Sequence, residues 1–145
     1  MPRLYAQILI PPEVLAELSD ADAPPEVLQW ARSHPVWLQT REVRTVLDDP
    51  ALQQLDPGER AAILLAQQEA GALLVIDDAA GRSEATPRGI PSTGTLGILR
   101  AAAIGRLLDL PTALKNLATT NFRVSQRLIA ELLVEDNARR RHMGE

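Results

Sequence analysis

The sequence contains no cysteine and few aromatic residues, and both features exclude classes of protein. Without cysteine there is no disulfide scaffold and no thiolate nucleophile, and a cytoplasmic location fits this composition. Aromatic residues make up 3% of the 145 residues, so the core must consist of Leu, Ile, Val and Ala. No apolar run approaches the roughly 20 residues of a membrane-spanning helix, and the first residues lack a signal-peptide pattern. We therefore expect no membrane span and no signal peptide.

Several motifs that carry chemistry are also missing. The stretches "GTLG" and "TPRG" lack the spacing of a phosphate-binding loop, and no serine lies in a nucleophile-elbow pattern. Two histidines without cysteine argue against a structural zinc site. The net charge of −4 argues against broad electrostatic binding of nucleic acid. Carboxylates remain as the candidate reactive groups.

The order of patterns along the chain predicts an α/β fold. Short apolar runs at "YAQILI" (5–10), "VWLQTREV" (36–43) and "ALLVI" (72–76) are typical of strands, and amphipathic segments alternate with them. This alternation favours a parallel sheet between helices. No repeat or long linker interrupts the chain, so residues 1–145 are predicted to form a single domain.

The stretch "LDPGERAAILLAQQEAGALLVIDD" (55–78) has the clearest local signals. Asp56 has the position of a helix N-cap, Pro57 takes the first helical position and Glu59 follows three residues after the cap. Gly71 is a typical stop signal for a helix. The continuous apolar run that follows predicts a strand covered on both faces. A helix followed by a strand is therefore expected here.

Four carboxylates are predicted to lie near one edge of that sheet. Asp77 and Asp78 directly follow the strand "LLVI", Glu59 opens the preceding helix and Glu17 lies on the helix after "ILI". Ligands of parallel sheets bind beyond the carboxyl ends of the strands. Converging carboxylates repel one another unless a cation neutralises them, and oxygen ligands suit Mg²⁺ or Mn²⁺. Such a site is suited to phosphodiester hydrolysis.

Each of these acids also has a purely structural interpretation. Glu59 can accept a hydrogen bond from the backbone amide of Asp56 in a capping box. Asp77 or Asp78 can cap the next helix or bind backbone in a turn. Glu17 on an amphipathic helix can be a solvated residue. Periodicity alone does not choose between these roles.

The segments "YAQILIPPEVLAEL", "LDPGERAAILLAQQEAGALLVIDDAAGR" and "GIPSTGTLGILRAAAIGRL", in this order, resemble a branch of the PIN-domain ribonucleases filed as a domain of unknown function. The branch is similar in outline to the VapC-like toxins of bacterial toxin–antitoxin pairs. The resemblance implies a three-layer α/β/α sandwich with a parallel sheet, and acidic residues that hold Mg²⁺ or Mn²⁺ to cut RNA. It also implies a small antitoxin protein as a partner, and we expect a homodimer.

The resemblance assigns roles to individual residues. Glu17, Glu59 and Asp77 match the acidic metal ligands of the family, with Asp78 as the neighbour or substitute of Asp77, and all four are candidate catalytic residues. Three further residues are candidate contacts to a substrate phosphate, namely Arg82, Thr93 and Thr95.

The chain departs from the family pattern at its start. Members of the branch open with a strand that ends in an Asp-Thr-Ser-Pro-like or Asn-Thr-Ser-Pro-like motif, whereas Met1 stands almost directly before the segment "LYAQILIP". The resemblance thus implies that the first family strand, one helix and one carboxylate are missing, and that activity is impaired or absent in this form. Three explanations of this departure stay open, namely a misassigned start, a decayed form of the family, and a neighbouring chain that fills the gap by strand exchange. The alternative function is a non-catalytic PIN-like module that binds a partner or itself. A small-molecule enzyme on a flavodoxin-like sheet ranks last, because it would need a phosphate-binding loop.

Overall fold

The computed structural model describes residues 4–5, 7–33, 36–44, 50–120 and 122–144. This part of the chain is a mixed α/β structure of seven α-helices and four short strands. In chain order the elements are β1 (Ile8–Ile10), α1 (Pro12–Leu18), α2 (Pro25–Arg32), β2 (Leu38–Thr40), α3 (Pro57–Gln68), β3 (Leu74–Val75), α4 (Ala79–Ala85), β4 (Ser92–Thr93), α5 (Thr95–Ile104), α6 (Leu110–Ala118) and α7 (Gln126–His142).

The strands pair in parallel, as the sequence predicts, but in two separate sheets. Strand β1 pairs with β2, with Ile8 opposite Leu38, and β3 pairs with β4, with Leu74 opposite Ser92. Within the described residues each sheet has two strands. The parallel α/β character is confirmed, whereas the three-layer sandwich stays a prediction.

Local signals explain where most helices begin. Proline occupies an early position of α1, α2, α3 and α6, where its missing amide hydrogen is not needed. Ser125 caps α7 by accepting a hydrogen bond from the amide of Leu128, and Asp109 caps α6 in the same way. The segment "PALQQL" contains a short 3₁₀-helix, Leu52–Gln54. These elements follow from short-range patterns and agree with the sequence.

The strands are shorter than predicted. The run 5–10 gives the strand Ile8–Ile10, with Ala6 outside the described residues, and "ALLVI" gives Leu74–Val75. The expected cover on both faces of this run is wrong for Val75, whose residue surface is 46% exposed. Leu74 and Ile76 are buried in a cluster with helix α3 and the segment after α4, so one face of the strand carries the packing.

The chain divides into two compact units, Met1–Thr95 and Leu96–Glu145. The first has a core cluster of Leu52, Leu55, Ile63, Leu74, Ile76, Ala85 and Ile90. In the second, Ala103, Leu110 and Leu114 pack with apolar residues of α7. The single-domain interpretation of residues 1–145 stays a prediction. Among the described residues, no helix is long and apolar enough to cross a membrane.

Candidate functional site

Helix α3 begins beside helix α1, and this contact places Glu17 over the first turn of α3. Helices α1 and α3 pack together, and Gly58 in the first turn of α3 is buried. A Cβ atom at position 58 would lie 2.8 Å from Cδ and 2.9 Å from Oε2 of Glu17. The carboxylate of Glu17 therefore occupies the space that the absence of a side chain at Gly58 leaves. Because the amino end of a helix carries partial positive charge, a carboxylate is favourable at this position.

Glu59 follows Gly58, and its side chain is used as the capping-box interpretation predicts. Its carboxylate accepts a hydrogen bond from the backbone of Asp56, the residue that precedes α3. The reciprocal half of the box is missing, because the side chain of Asp56 makes no capping hydrogen bond. The capping role of Glu59 is thus confirmed. With this hydrogen bond in place, the Glu59 carboxylate lies at the start of α3, beside Glu17.

The electrostatic surroundings of Glu59 are acidic. Partial burial raises the pKa of Glu59 most, and the charges of Asp78, Asp56 and Glu17 raise it further, in that order. The hydrogen bond from the backbone of Asp56 opposes this shift. Glu17, Glu59 and Asp78 come from three different elements, and the charges of Glu17 and Asp78 both act on Glu59 in the first turn of α3. We call these three residues the acidic cluster.

Asp78 belongs to this cluster and also caps helix α4. Its Oδ2 accepts a hydrogen bond of 2.9 Å from the amide of Gly81. A Cβ atom at Gly81 would overlap the side chain of Ile76, so the turn that carries Asp78 packs tightly on the end of strand β3. One of the structural roles that the sequence left open is therefore confirmed for Asp78. Its other oxygen accepts no hydrogen bond from the described residues.

Asp77 faces a different set of partners. Its Oδ1 accepts a hydrogen bond of 2.7 Å from the amide of Thr95, and its Oδ2 accepts one of 2.6 Å from the Thr95 hydroxyl. Both oxygens thus hold the first residue of helix α5. Asp77 is also not among the residues whose charges raise the pKa of Glu59. The charge of Asp78, and not that of Asp77, therefore acts on Glu59.

The predicted phosphate contacts lie on the side of Asp77. A Cβ atom at Gly94 would lie 2.6 Å from Asp77 Oδ1 and 3.5 Å from Arg82 Nη1, so the guanidinium of Arg82 lies close to the backbone between Thr93 and Thr95. Arg82 forms no ion pair with any carboxylate in the part of the chain that the structure describes. The role of Arg82, Thr93 and Thr95 as phosphate contacts stays a prediction, and the Thr95 hydroxyl already donates a hydrogen bond to Asp77.

The acidic cluster does not form a complete metal cage. Within the described ranges, no three His, Asp or Glu side chains are placed so that they could hold one ion. The assignment of Glu17, Glu59 and Asp77 as a three-ligand set stays a prediction. Sequence reasoning did not include Asp56, whose charge also acts on Glu59. In the sequence, the N-cap position of Asp56 is a sufficient explanation of this residue. Only its place beside Glu59 in the capping pattern could have indicated that its charge also raises the pKa of Glu59.

Comparison with known proteins identifies one family. The model of a family called domain of unknown function 3368, described as a PIN domain, matches residues 1–138. No curated protein and no solved structure matches the chain. The match includes the acidic cluster, Asp77 and Arg82.

Proposed function

The chain belongs to this PIN domain family, and from that premise we propose that it is a metal-dependent endoribonuclease whose site is built on the acidic cluster. The observation that carries the proposal is the convergence of Glu17, Glu59 and Asp78 from α1, α3 and the end of β3. The start of a helix needs only one capping glutamate, so the capping of α3 does not by itself account for the further carboxylates around Glu59. A carboxylate whose pKa is raised by neighbouring acids, as that of Glu59 is, is typical of a site that binds a cation.

The carboxylates of the acidic cluster are suitable ligands for a magnesium or manganese ion. Mg²⁺ keeps several waters and is commonly held by one or two carboxylates together with substrate phosphates, so a three-ligand cage is not required. Glu59 and Asp78 are the first candidates, because each has a carboxylate that a cation would relieve of repulsion, and Glu17 is the third. When bound, such an ion activates water and stabilises charge on the phosphate.

The chain's own residues contribute binding and orientation. Asp77 holds Thr95 through two hydrogen bonds and thereby orders the turn that carries Gly94 beside Arg82. The guanidinium of Arg82, with no ion-pair partner in the described residues, would bind a phosphate of the RNA, and Thr93 would support it through its hydroxyl. In this proposal Asp77 is a positioning residue, and the acids that face the cation are those of the acidic cluster.

The wider biological context belongs to the same proposal. A PIN domain of this kind would act as the toxin of a type II toxin–antitoxin pair, in the cytoplasm, as a homodimer that a small antitoxin protein binds. The three-layer α/β/α sandwich is likewise part of the proposal. Family membership supports these points.

The direct test is RNA cleavage with a matched set of variants. We expect a fluorogenic RNA to be cleaved with Mg²⁺ or Mn²⁺, and cleavage to stop with EDTA. Glu59→Gln and Asp78→Asn should each lower the rate at least about 100-fold, as loss of general acid–base or metal-binding groups does. Glu13→Gln, an exposed acid on the same helix as Glu17, is the control and should leave the rate unchanged.

A second measurement separates metal binding from activity. If the ion binds at about 100 times its dissociation constant, it should stabilise the folded chain by about 2.7 kcal/mol. This stabilisation should be lost in Glu59→Gln and kept in Glu13→Gln. Cleavage that continues at the same rate in EDTA, or a wild-type chain that neither cleaves RNA nor binds either ion, would show that the proposal is wrong.

The alternative function, a non-catalytic PIN-like binding module, has one observation in its favour. Both oxygens of Asp77 and one oxygen of Asp78 already accept hydrogen bonds within the chain. Under this alternative Asp77 and Asp78 have only structural roles, because Asp78 caps helix α4 and Asp77 binds the first residue of helix α5. Ion binding that depends on Glu59 would exclude it.

A further inference from the structure

Arg60, the residue after Glu59, binds backbone carbonyls of the short segment that leads into α3. Its Nε donates a hydrogen bond of 3.1 Å to the carbonyl of Leu52, and its Nη2 donates one of 3.1 Å to the carbonyl of Leu55. Nη2 also makes a longer contact of 3.5 Å with the carbonyl of Gln53. A single guanidinium thus holds three carbonyls of one segment.

The position of these carbonyls accounts for part of the contact. Two of them belong to the 3₁₀-helix Leu52–Gln54, and Leu55 directly follows it. Carbonyls at the carboxyl end of a helix lack partners within the helix and carry partial negative charge, so a cation is favourable there. This effect stabilises the fold, and it would be sufficient if Arg60 bound only the 3₁₀-helix itself.

The bond to Leu55, however, falls on the peptide group that Glu59 also binds. The carbonyl of Leu55 and the N–H of Asp56 belong to one peptide group; Arg60 binds its oxygen, and the Glu59 carboxylate accepts a hydrogen bond from its N–H. A trans peptide group is planar, so its C=O and N–H point in opposite directions and cannot turn independently. Fixing the carbonyl therefore fixes the direction of the N–H that the Glu59 carboxylate meets.

The backbone does not hold this N–H in another way. Among the described residues the amide of Asp56 donates to no backbone carbonyl, and the side chain of Asp56 makes no capping hydrogen bond. The orientation of the peptide group thus depends on the two side chains that bind its ends. A cation on the carbonyl also polarises the peptide group and strengthens its N–H as a donor.

Arg60 supports Glu59 without neutralising it. In the part of the chain that the structure describes, Arg60 forms no ion pair with a carboxylate. It is also not among the groups whose charges shift the pKa of Glu59. The negative charge of Glu59 therefore stays available to a cation, whereas an arginine paired with Glu59 would compete with a metal ion.

We propose that Arg60 is a positioning residue of the acidic cluster, which holds the Leu55–Asp56 peptide group and thereby sets the direction in which Glu59 presents its carboxylate to a cation. The inference rests on the proposed function, because it assigns Arg60 a role in that site. Arg60 itself contacts neither the cation nor the RNA. Lysine cannot replace it, because an ammonium is a point charge, whereas the planar guanidinium binds two carbonyls at once.

The first test is hydrogen exchange of the Asp56 amide in the full chain, without metal or RNA. We expect Arg60→Lys to lower the protection of this amide at least about tenfold. In a Glu59→Ala background the amide has already lost its acceptor, so Arg60→Lys should change its protection less than about twofold. This dependence on Glu59 distinguishes a positioning role from a general loss of stability.

Two control variants match the substitution and its effect on stability. Arg41→Lys is the same change in the same unit, at an arginine that pairs with Glu69. Leu65→Val alters a buried residue of α3 that lies outside the core cluster of the first unit. Neither should change the protection of the Asp56 amide more than about twofold. Circular dichroism establishes that each variant is folded.

A measurement on the wild-type chain does not depend on any variant. NMR scalar couplings across hydrogen bonds should connect an Arg60 Nη with the carbonyl carbon of Leu55, and the amide nitrogen of Asp56 with the carboxyl carbon of Glu59. Both couplings are expected in the same molecule, since the two side chains bind one peptide group. Absence of the coupling to Leu55 would overturn the proposal.

The second test follows the consequence for the site. Arg60→Lys should raise the Mg²⁺ dissociation constant at least about tenfold and lower kcat, while KM for RNA stays within about twofold of wild type. A higher KM with unchanged Mg²⁺ affinity would mean that Arg60 binds the RNA directly, and it would overturn the positioning role.

Two exchange results would also overturn the proposal. One is unchanged protection of the Asp56 amide in Arg60→Lys, and the other is an equal loss of protection in Arg41→Lys or Leu65→Val. With cleavage and ion binding intact, these results refute only the role of Arg60. A wild-type chain that neither cleaves RNA nor binds either ion refutes the proposed function, and the role of Arg60 toward a cation with it.

Discussion

The substitution Gly58→Ala tests the most specific contact of the acidic cluster. An added Cβ atom would overlap the carboxylate of Glu17, at 2.8 Å from its Cδ, and would otherwise be an ordinary helical side chain. Gly58 lies in the first turn of α3 without a positive φ angle, so alanine is compatible with the backbone. Because Glu17 is exposed and its carboxylate ends a flexible side chain, we expect the carboxylate, and not the helix, to move.

Two opposing effects determine the magnitude. Replacing glycine by alanine in a helix stabilises by up to about 1 kcal/mol. Displacing the Glu17 carboxylate from the amino end of α3 removes a charge–dipole interaction of roughly 0.3–1 kcal/mol. We therefore expect Gly58→Ala to raise the free energy of unfolding by about 0.5 kcal/mol in the wild-type chain. In a Glu17→Ala background, where nothing is displaced, the gain should be about 1 kcal/mol.

The assay is urea unfolding monitored by tryptophan fluorescence. Both tryptophans, Trp30 and Trp37, lie in the unit that contains Gly58, so the signal reports on that unit. Destabilisation of more than about 1 kcal/mol in both backgrounds would refute the reasoning, because it would mean that the new methyl group meets a part of the fold that cannot move. In addition, the Mg²⁺-dependent stabilisation should be smaller in Gly58→Ala if Glu17 contributes to cation binding.

Three further predictions concern carboxylates with defined partners. Asp78→Ala should destabilise by about 1 kcal/mol through loss of the α4 cap, whereas Asp78→Asn keeps the acceptor for Gly81 and should lose only the response to Mg²⁺; thermal melts of both variants distinguish these effects. Since the folded chain raises the pKa of Glu59 above 4.5, it binds that proton more tightly than the unfolded chain, and stability falls as the pH rises through this window. Glu59→Gln should therefore be more stable than wild type at neutral pH and equal to it below about pH 4.5, and a difference that does not vary with pH would contradict this. Hydrogen bonds from Thr112, followed by Arg140, lower the pKa of Asp109 from 3.8 to about 2, so its contribution to stability should be present above pH 3.8 and lost as the pH falls toward 2. Acid unfolding of Asp109→Asn, followed by circular dichroism, should lack this component.

The helices could be predicted from the sequence because their signals are local. Proline at the first turn, a capping side chain and apolar residues at helical spacing all act within a few residues of one another. For this reason the predicted start of α3 agrees with the structure at Pro57. The capping roles of Glu59 and Asp78 were among the predicted alternatives for the same reason.

The burial of the strand faces and the hydrogen-bond partners of Asp77 could not be predicted from local sequence signals. The apolar run at 72–76 is typical of a strand buried on both faces, yet the exposure of Val75 depends on whether another strand lies beside β3. Asp77 and Asp78 are adjacent and chemically identical, so the sequence does not distinguish them. Asp77 binds Thr95, 18 residues further along the chain, and this choice depends on where β4 returns beside β3.

The sequence by itself determined the α/β character, the starts of the helices, the four candidate acids and the resemblance to PIN domains, since each rests on short-range hydrogen bonding, periodicity or the order of motifs. Only the tertiary structure decided that the charge of Asp78, and not that of Asp77, acts on Glu59, and that within the described residues β1 and β3 belong to separate two-stranded sheets. Both of these features depend on which distant segments pack together. Electrostatic coupling and strand pairing act across space, so residues that are neighbours in the chain can have different partners.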